Sequence, residues 1–337
     1  MRITDVTMRM PDTIMRITIV VLVLSCYGIV AYAQAPVDSR TPLQSRGVQS
    51  ISTSSSNDLS AALKDPNLVL KLDLSGQNLT TLTDSIGLFG NLEELNLGRN
   101  KLKSLPISVG ELRKLRVLRL AYNNFTEVPL AIRDLAHLEV LNISNNPITT
   151  LDERAFTGLA NLKELRMDFL KVSVLPTSIG SCLNLNVLSA EGNALKALPA
   201  FIGNLKQLTS VNVSSNDISV IADTIFTLPS LETLTINANK LKGLPDALGA
   251  SRLRTFEADS NAIDSVPASI GGCKNLERLS LAHNKLTTVP KEIGKCQNLG
   301  YLDISGNALV ALPVKELASL SALSVLRIAN KPGMQKE

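Results

Sequence analysis

The feature that most constrains this chain is a repeat of 22 to 24 residues that runs from Val69 to Leu320. Eleven full units follow one another, and a further strand-like segment covers residues 323–328. The units begin with L-x-x-L-x-L-x-x-N or a variant of it, as in the stretch from Leu92 to Asn100, and most continue with a variant of L-P-x-x-I-G-x-L. A unit this short cannot bury its own apolar side, but stacked units share one continuous core. The repeat therefore predicts an α/β solenoid.

The two halves of the unit predict its two kinds of local structure. The L-x-x-L-x-L half alternates apolar and polar residues, which is typical of a short strand with one buried face. Stacking places these strands in a parallel sheet. In the L-P-x-x-I half, proline fixes φ for a turn into a short helical or 3-10 segment.

An asparagine recurs directly after each strand, where the chain turns away from the sheet. Its carboxamide can both donate and accept hydrogen bonds, and a buried backbone group left unpaired costs about 1–3 kcal/mol. The first unit has Gln77 in this slot and the fifth has Leu170, which forms no hydrogen bond. We predict a structural ladder formed by Asn100, Asn123, Asn146, Asn193, Asn216, Asn239, Asn261, Asn284 and Asn307.

These units resemble the leucine-rich repeat family over about four-fifths of the chain. The L-P-x-x-I form is similar to the short subgroup found in bacterial proteins and in intracellular signalling scaffolds. Two features of other members, the plant G-x-I-P turn and paired-cysteine caps, are absent from the sequence. The resemblance implies a curved horseshoe with its parallel sheet on the concave face and the short helical segments on the convex face. It also implies a cofactor-free protein that binds another macromolecule on the concave sheet.

The N-terminus has the pattern of an export signal. A basic residue, Arg16, precedes an apolar run that ends in an A-x-A motif at Ala33. We predict a signal peptide over residues 1–33, with Met15 as an alternative start. An uncleaved anchor and a lipid on Cys26 remain open as alternatives. The expected location is secreted, periplasmic or in a bacterial cell envelope, without an integral membrane domain after cleavage.

The rest of the chain divides into four regions. Residues 34–57 are rich in Ser, Thr, Pro and Gln and predict a flexible linker. Residues 58–68 predict an amphipathic capping helix, and residues 69–331 form the repeat domain. The tail, residues 332–337, is too short to cover the last strand. An uncovered edge would favour weak homodimer formation.

Catalytic, metal and nucleic-acid sites are not expected. The two histidines, His137 and His283, lie six units apart, or about 29 Å along a parallel ladder. Phosphate loops, H-E-x-x-H and G-x-S-x-G are missing from the sequence, so we predict that the chain is not an enzyme. A net charge of +4 without a run of Lys or Arg also argues against a nucleic-acid partner.

The cysteines of the repeat domain are expected in the core. Cys182, Cys273 and Cys296 occupy a slot that holds leucine in other units. A disulfide between Cys273 and Cys296 stays open because their units are adjacent. We expect three free thiols instead.

The residues that flank the strand leucines should line the concave face. Units 2 to 5 concentrate Arg and aromatic residues there, although the chain has only 7 Phe and 4 Tyr. Tyr and Arg are enriched at binding hot spots. Further along, Glu257 and Asp259 make the face acidic. The candidate binding residues are Arg99, Arg116, Arg119, Tyr122, Arg166 and Phe169.

The leading hypothesis is an exported, non-catalytic recognition protein that binds a protein or peptide on this face, with an anionic glycan as a further candidate ligand. A self-associating envelope spacer or adhesin is an alternative. A cytoplasmic signalling scaffold is the third hypothesis, and it applies if the export signal is spurious.

Overall fold

The computed structural model of the protein describes residues 54–329. The predicted signal peptide with Cys26, most of the predicted linker, and the tail lie outside these residues. Within the described range, thirteen parallel strands form one sheet in chain order. The prediction of an α/β solenoid is confirmed. The strands of the repeat units are Val69–Asp73, Glu94–Asn96, Val117–Arg119, Val140–Asn142, Glu164–Arg166, Val187–Ser189, Ser210–Asn212, Thr233–Thr235, Thr255–Glu257, Arg278–Ser280, Tyr301–Asp303 and Val325–Arg327.

The register of the sheet follows the repeat. Leu95 pairs with Leu118, which pairs with Leu141, so the central leucines of successive units stack on one another. All three are fully buried. Because side chains alternate across a strand, the residues on either side of each leucine face outward from the core.

The N-terminal end differs from the sequence prediction. The linker was predicted to extend to residue 57, but it ends earlier. Residues Ser54–Ser56 form a further strand at the edge of the sheet, which pairs with the strand of the first repeat unit. The predicted helix over residues 58–68 is also shorter: an α-helix covers Leu59–Ala62, and a 3-10 segment covers Pro66–Leu68. The Asp58 carboxylate caps the α-helix by accepting from the Ser60 N–H at 2.8 Å. Proline within the predicted helix explains the break.

The convex side consists of short segments that begin after a proline in most units. Segments of neighbouring units contact one another, as expected for stacked coils. One unit has an α-helix instead, Val314–Ala318. Two further strands, Ala197–Leu198 and Val220–Ile221, pair with each other. The 3-10 segments are Asp84–Leu88, Ile107–Glu111, Leu130–Asp134, Thr177–Ser181, Ala200–Asn204, Asp223–Ile225, Asp246–Ala250, Ala268–Gly272 and Lys291–Lys295.

One hydrophobic core, mostly aliphatic with five buried phenylalanines, runs through the stack. The three cysteines of the repeat domain are buried in it as free thiols, so Cys273 and Cys296 are not bridged. Burial raises the pKa of the Cys182 and Cys296 thiols to about 11. In the described range, no helix combines the length and hydrophobicity that a membrane span requires.

Candidate binding surface

The asparagine ladder lies where the strands end, and its carboxamides join the backbones of adjacent units. In Asn123, the Nδ2 group donates to the Leu97 carbonyl at 2.9 Å and to the Leu120 carbonyl at 3.0 Å. Its Oδ1 accepts from the Leu102 N–H at 3.0 Å. The Leu97 carbonyl also accepts from Asn100. Each such carbonyl therefore receives two amides from adjacent units. The same arrangement recurs at Asn146, Asn216, Asn239, Asn284 and Asn307.

Leu170 interrupts this ladder in the fifth unit. It is buried, with 4% of its surface exposed, and its side chain cannot accept a hydrogen bond. By the register of the other units, the group that loses a carboxamide acceptor is the N–H of Ile148. The Ile143 and Met167 carbonyls on either side accept from Asn146 and Asn193. The gap thus removes the carboxamide acceptor of one N–H, and the two carbonyls each keep one of their two donors.

The residue directly before each ladder position adopts a left-handed backbone conformation. Its φ lies between 52° and 69° in all eleven units. We call these positions the left-handed row, and they form one edge of the concave face. Only three are glycine, which explains why sequence analysis missed the conformation. The row consists of Gly76, Arg99, Tyr122, Asn145, Phe169, Gly192, Ser215, Ala238, Ser260, His283 and Gly306.

Tyr122 and Phe169 are the unusual members of this row. A positive φ costs a residue with a Cβ about 1–2 kcal/mol, and bulky residues rarely adopt it. Both side chains are nevertheless 52% exposed. The Phe169 ring lies over Gly192, where a Cβ atom would approach the ring to 2.4 Å. The two aromatic residues are thus held on the surface at a cost in backbone energy.

The predicted arginines of units 2 to 5 lie on the same face, but most are paired within the chain. Arg116 binds Glu139 at 2.9 Å, and Lys163 binds the same carboxylate at 3.0 Å. These two cations hold the pKa of Glu139 below its usual range, with Lys163 the larger contributor. Arg119 lies 3.8 Å from Glu94.

Two arginines complete this region. Arg166 forms an ion pair with Glu164. Arg99 has no ion pair in the described range, and its guanidinium lies 5.1 Å from the centre of the Tyr122 ring. The paired Glu residues compensate most of the positive charge, so the exposed aromatic side chains are the distinctive feature of units 2 to 5.

A second cluster at the far end of the concave face was missed. The Tyr301 ring lies between Arg278, at 3.7 Å from its centre, and Arg327, at 5.6 Å. The Tyr301 hydroxyl donates to Asp303 at 3.2 Å, and Arg278 binds Glu257 at 2.6 Å. The predicted acidity of Glu257 is therefore compensated. The signal was the strand register, which places Arg278 beside Tyr301, and Arg327 beside Asp303 on the next strand.

Two further features of the described residues are the histidines and a groove. His137 and His283 are both exposed, and His283 lies over Gly306 in the left-handed row. A groove of about 430 Å³ lies on the flank of units 7 to 10, where the spacing from Leu231 to Leu253 is one residue shorter than usual. In the described residues, no group of His, Cys, Asp and Glu is arranged to hold a metal ion.

Comparison with known proteins gives matches over most of this solenoid. A family model described as a leucine-rich repeat region matches residues 67–173. A second model, described as a leucine rich repeat, matches residues 206–263, 251–309 and 274–330. No curated protein matches the sequence.

Solved structures resemble the chain over most of its length. A leucine-rich repeat protein of Leptospira interrogans is 28% identical, with a TM-score of 0.51 over 82% of this chain and 88% of the other.

The ectodomain of the receptor kinase GASSHO1/SCHENGEN3 from Arabidopsis thaliana, in complex with CASPARIAN STRIP INTEGRITY FACTOR 2, is 28% identical with a TM-score of 0.65; the match covers 82% of this chain but 34% of the receptor. The plant peptide hormone receptor RGFR1, in complex with RGF2, is 26% identical with a TM-score of 0.60, over 80% and 53% of the two chains. The chain belongs to the leucine-rich repeat family.

Proposed function

We propose that this chain is a non-catalytic recognition protein that binds a protein or peptide on its concave face, centred on Tyr122 and Phe169. The observation that carries the proposal is the exposure of both aromatic side chains at strained backbone positions. Strained residues persist where the surrounding structure enforces them, and they cluster at functional sites. Buried aromatic anchors dominate the energetics of most interfaces.

The surroundings of the two aromatic residues fit a partner with apolar side chains. Val117 and Val140 lie next to each other on the adjacent strands and are half-buried. Most of the neighbouring charges are paired, so a strongly acidic partner would have to displace carboxylates already bound to Arg116 and Arg119. The similarity to the ectodomain of a plant receptor kinase and to a plant peptide hormone receptor supports a peptide or protein as the ligand class.

A displayed random peptide library tests this proposal. Peptides are selected on the purified repeat domain and measured against the double variant Tyr122→Asn, Phe169→Asn. Asparagine is the matched replacement because Asn145 occupies the same row in the intervening unit. We expect at least about a hundredfold weaker binding, since two hot-spot aromatic residues contribute about 2 kcal/mol or more each.

The control for this experiment changes the same row elsewhere. Ser215→Asn with Ser260→Asn leaves both aromatic residues in place and should retain full affinity. A library that yields no binder, or peptides that bind the double variant as tightly as the wild type, contradicts the proposed surface.

Export is a separate part of the proposed function. The support is the sequence pattern that ends at Ala33, together with the similarity to a receptor ectodomain. Expression in a bacterial host and intact mass measurement of the exported chain test it. We expect an N-terminus at Gln34, whereas a mass increment from a lipid on Cys26 would support the alternative anchor.

A further inference from the structure

The flank next to the left-handed row carries a stripe of lysines. In each unit, the chain leaves the ladder position and runs away from the sheet along this flank. The residue directly after the ladder position donates its N–H to a carbonyl one unit earlier, as Lys101 does to Leu79 at 2.7 Å and Lys285 does to Ile263 at 2.8 Å. Lys171 and Lys240 form the equivalent bonds. The four lysines therefore lie in one row, in units 2, 5, 8 and 10.

A second row lies two residues further along the chain. Here the Ser219 N–H donates to the Lys196 carbonyl, and the Asp264 N–H donates to the Lys242 carbonyl, so these positions are stacked as well. All the lysines of both rows are exposed. We call them the basic flank, which consists of Lys101, Lys103, Lys171, Lys196, Lys240, Lys242 and Lys285.

The charge of the protein is concentrated on this flank. Over eleven units the two rows contain seven lysines and two aspartates, Asp217 and Asp264, which is a net charge of +5, whereas the whole chain has +4. Among the described residues, only Lys240 of the basic flank has an ion-pair partner, Asp217. The lysines are dispersed in sequence, so the absence of a Lys/Arg run concealed them. Such a patch attracts anions through its combined field.

The composition of the flank indicates the chemistry of the anion. Every cation in it is lysine, so the flank attracts anions as a row of point charges and lacks the bidentate contact that Arg makes with carboxylate or phosphate. The two rows have no aromatic residue on which a nucleic-acid base could stack. Apart from Val310 at the C-terminal end of the second row, the two rows offer none of the aromatic or large apolar anchors that peptide interfaces need. The second row instead presents hydroxyl groups between its lysines, at Thr80, Thr126, Thr149, Ser173, Ser219 and Thr287.

From these observations we propose that the basic flank binds an anionic polysaccharide that lies along the solenoid. Lysines bind its carboxylate or sulfate groups, and the Ser and Thr hydroxyls hydrogen-bond to its sugar hydroxyls. The flank spans units 2 to 10, or about 38 Å at the spacing of a parallel ladder, so the ligand must be an extended polymer. This site is distinct from the concave surface around Tyr122 and Phe169 and does not depend on it.

Fluorescence anisotropy with a labelled oligogalacturonate long enough to span these units tests the proposal. The flank variant is Lys101→Gln, Lys171→Gln, Lys285→Gln. Its matched control is Lys64→Gln, Lys291→Gln, Lys315→Gln, which removes the same charge from exposed lysines elsewhere. We expect about tenfold weaker binding by the flank variant at low salt and a weaker dependence on salt, with the control close to wild type.

Two further measurements decide the ligand class and the site. An oligoglutamate with the same number of carboxylates should bind about tenfold more weakly than the oligogalacturonate. The double variant Tyr122→Asn, Phe169→Asn should bind the oligogalacturonate normally, which separates this site from the proposed peptide surface. Equal loss in the flank and control variants, failure to bind the oligogalacturonate, or equal binding of both polymers overturns the inference.

Discussion

The two ends of the concave face use the same residue types in opposite ways. Near the N-terminus, Tyr122 and Phe169 protrude from the left-handed row and are half-exposed. Near the C-terminus, Tyr301 lies flat between Arg278 and Arg327, and its hydroxyl is bonded. The difference arises from their places on the strand. A side chain within the strand contacts the neighbouring strands, whereas a side chain at the row extends beyond them. Residue type alone therefore does not identify a binding surface. The position of a residue, within the strand or in the left-handed row, decides whether its side chain is free to contact a partner.

The asparagine ladder also differs between the two ends of the concave face. It is continuous from Asn193 to Asn307 but is interrupted at Leu170, directly beside Phe169. The C-terminal end thus combines an uninterrupted ladder with a hydrogen-bonded aromatic side chain, and the N-terminal end combines a gap with strained aromatic residues. We infer that the first end stabilises the solenoid and the second is specialised for contact.

The largest expected effect tests the intact ladder. Asn216→Leu should cost about 1–3 kcal/mol, because the buried Leu195 N–H loses its acceptor. Asn239→Leu does the same to Ile218. The Val213 carbonyl accepts from both asparagines, so the double variant should cost about 1 kcal/mol more than the sum. Urea unfolding measures this coupling.

The exposed Asn275→Leu is the control for the ladder variants and should change stability by less than about 0.5 kcal/mol. Strict additivity of the two ladder substitutions would show that the shared carbonyl carries no coupling.

A smaller loss is expected at the C-terminal ring. Tyr301→Ala removes two cation–π contacts and one hydrogen bond, which should lower the free energy of unfolding by about 2 kcal/mol. Tyr301→Phe keeps the ring and should cost about 1 kcal/mol or less. Both variants should bind the selected peptides with wild-type affinity. A loss of peptide binding without a loss of stability would move the contact surface to this end.

Replacing the aromatic residues of the left-handed row should leave the stability of the protein unchanged or raise it, in contrast to the losses above. Tyr122→Asn or Phe169→Asn relieves an unfavourable backbone conformation, so thermal unfolding should show unchanged stability or a gain of up to about 1 kcal/mol. The reverse change, Asn145→Phe, should cost about 1 kcal/mol in the same row. If both aromatic substitutions destabilise the protein, the rings contribute to folding and their exposure loses its functional meaning.

The smallest effect concerns Asp259, which lies in the C-terminal half. Burial is the main cause that raises the pKa of its carboxyl, and the nearby Asp303 and Glu257 carboxylates raise it further, against the Ser280 and Ala282 hydrogen bonds. A raised pKa in the folded state means that stability is lost as pH rises through that pKa.

Asp259→Asn should therefore match the wild type below the unfolded pKa of about 4 and exceed it by less than about 1 kcal/mol at neutral pH. Urea unfolding across this pH range measures the difference. An advantage that grows on acidification would contradict the assignment.

Much of the fold followed from the repeat, because one period fixes strand, turn and core slots at once. The places of Leu95, Asn123 and Cys182 were predictable since each slot has one physical requirement. The left-handed row was not predictable, because neighbouring units impose its φ and residues as different as Gly76 and Phe169 accept it. The pairing of Arg116 and Arg119 with glutamates one unit away also escaped prediction. That pairing depends on the rotamers of the side chains and on which residues lie diagonally opposite on the neighbouring strand, and the repeat period specifies neither.

The hydrogen bonds of the ladder join residues at most 26 positions apart, as those of Asn123 to Leu102 and Leu97 illustrate. A chain with such short-range connections does not need its C-terminus before it starts to fold. Two neighbouring repeat units are enough to start folding, and each further unit then packs on units that are already folded. A polypeptide that emerges gradually, from a ribosome or a translocation channel, can therefore assemble from its leading end without long exposure of its leucines.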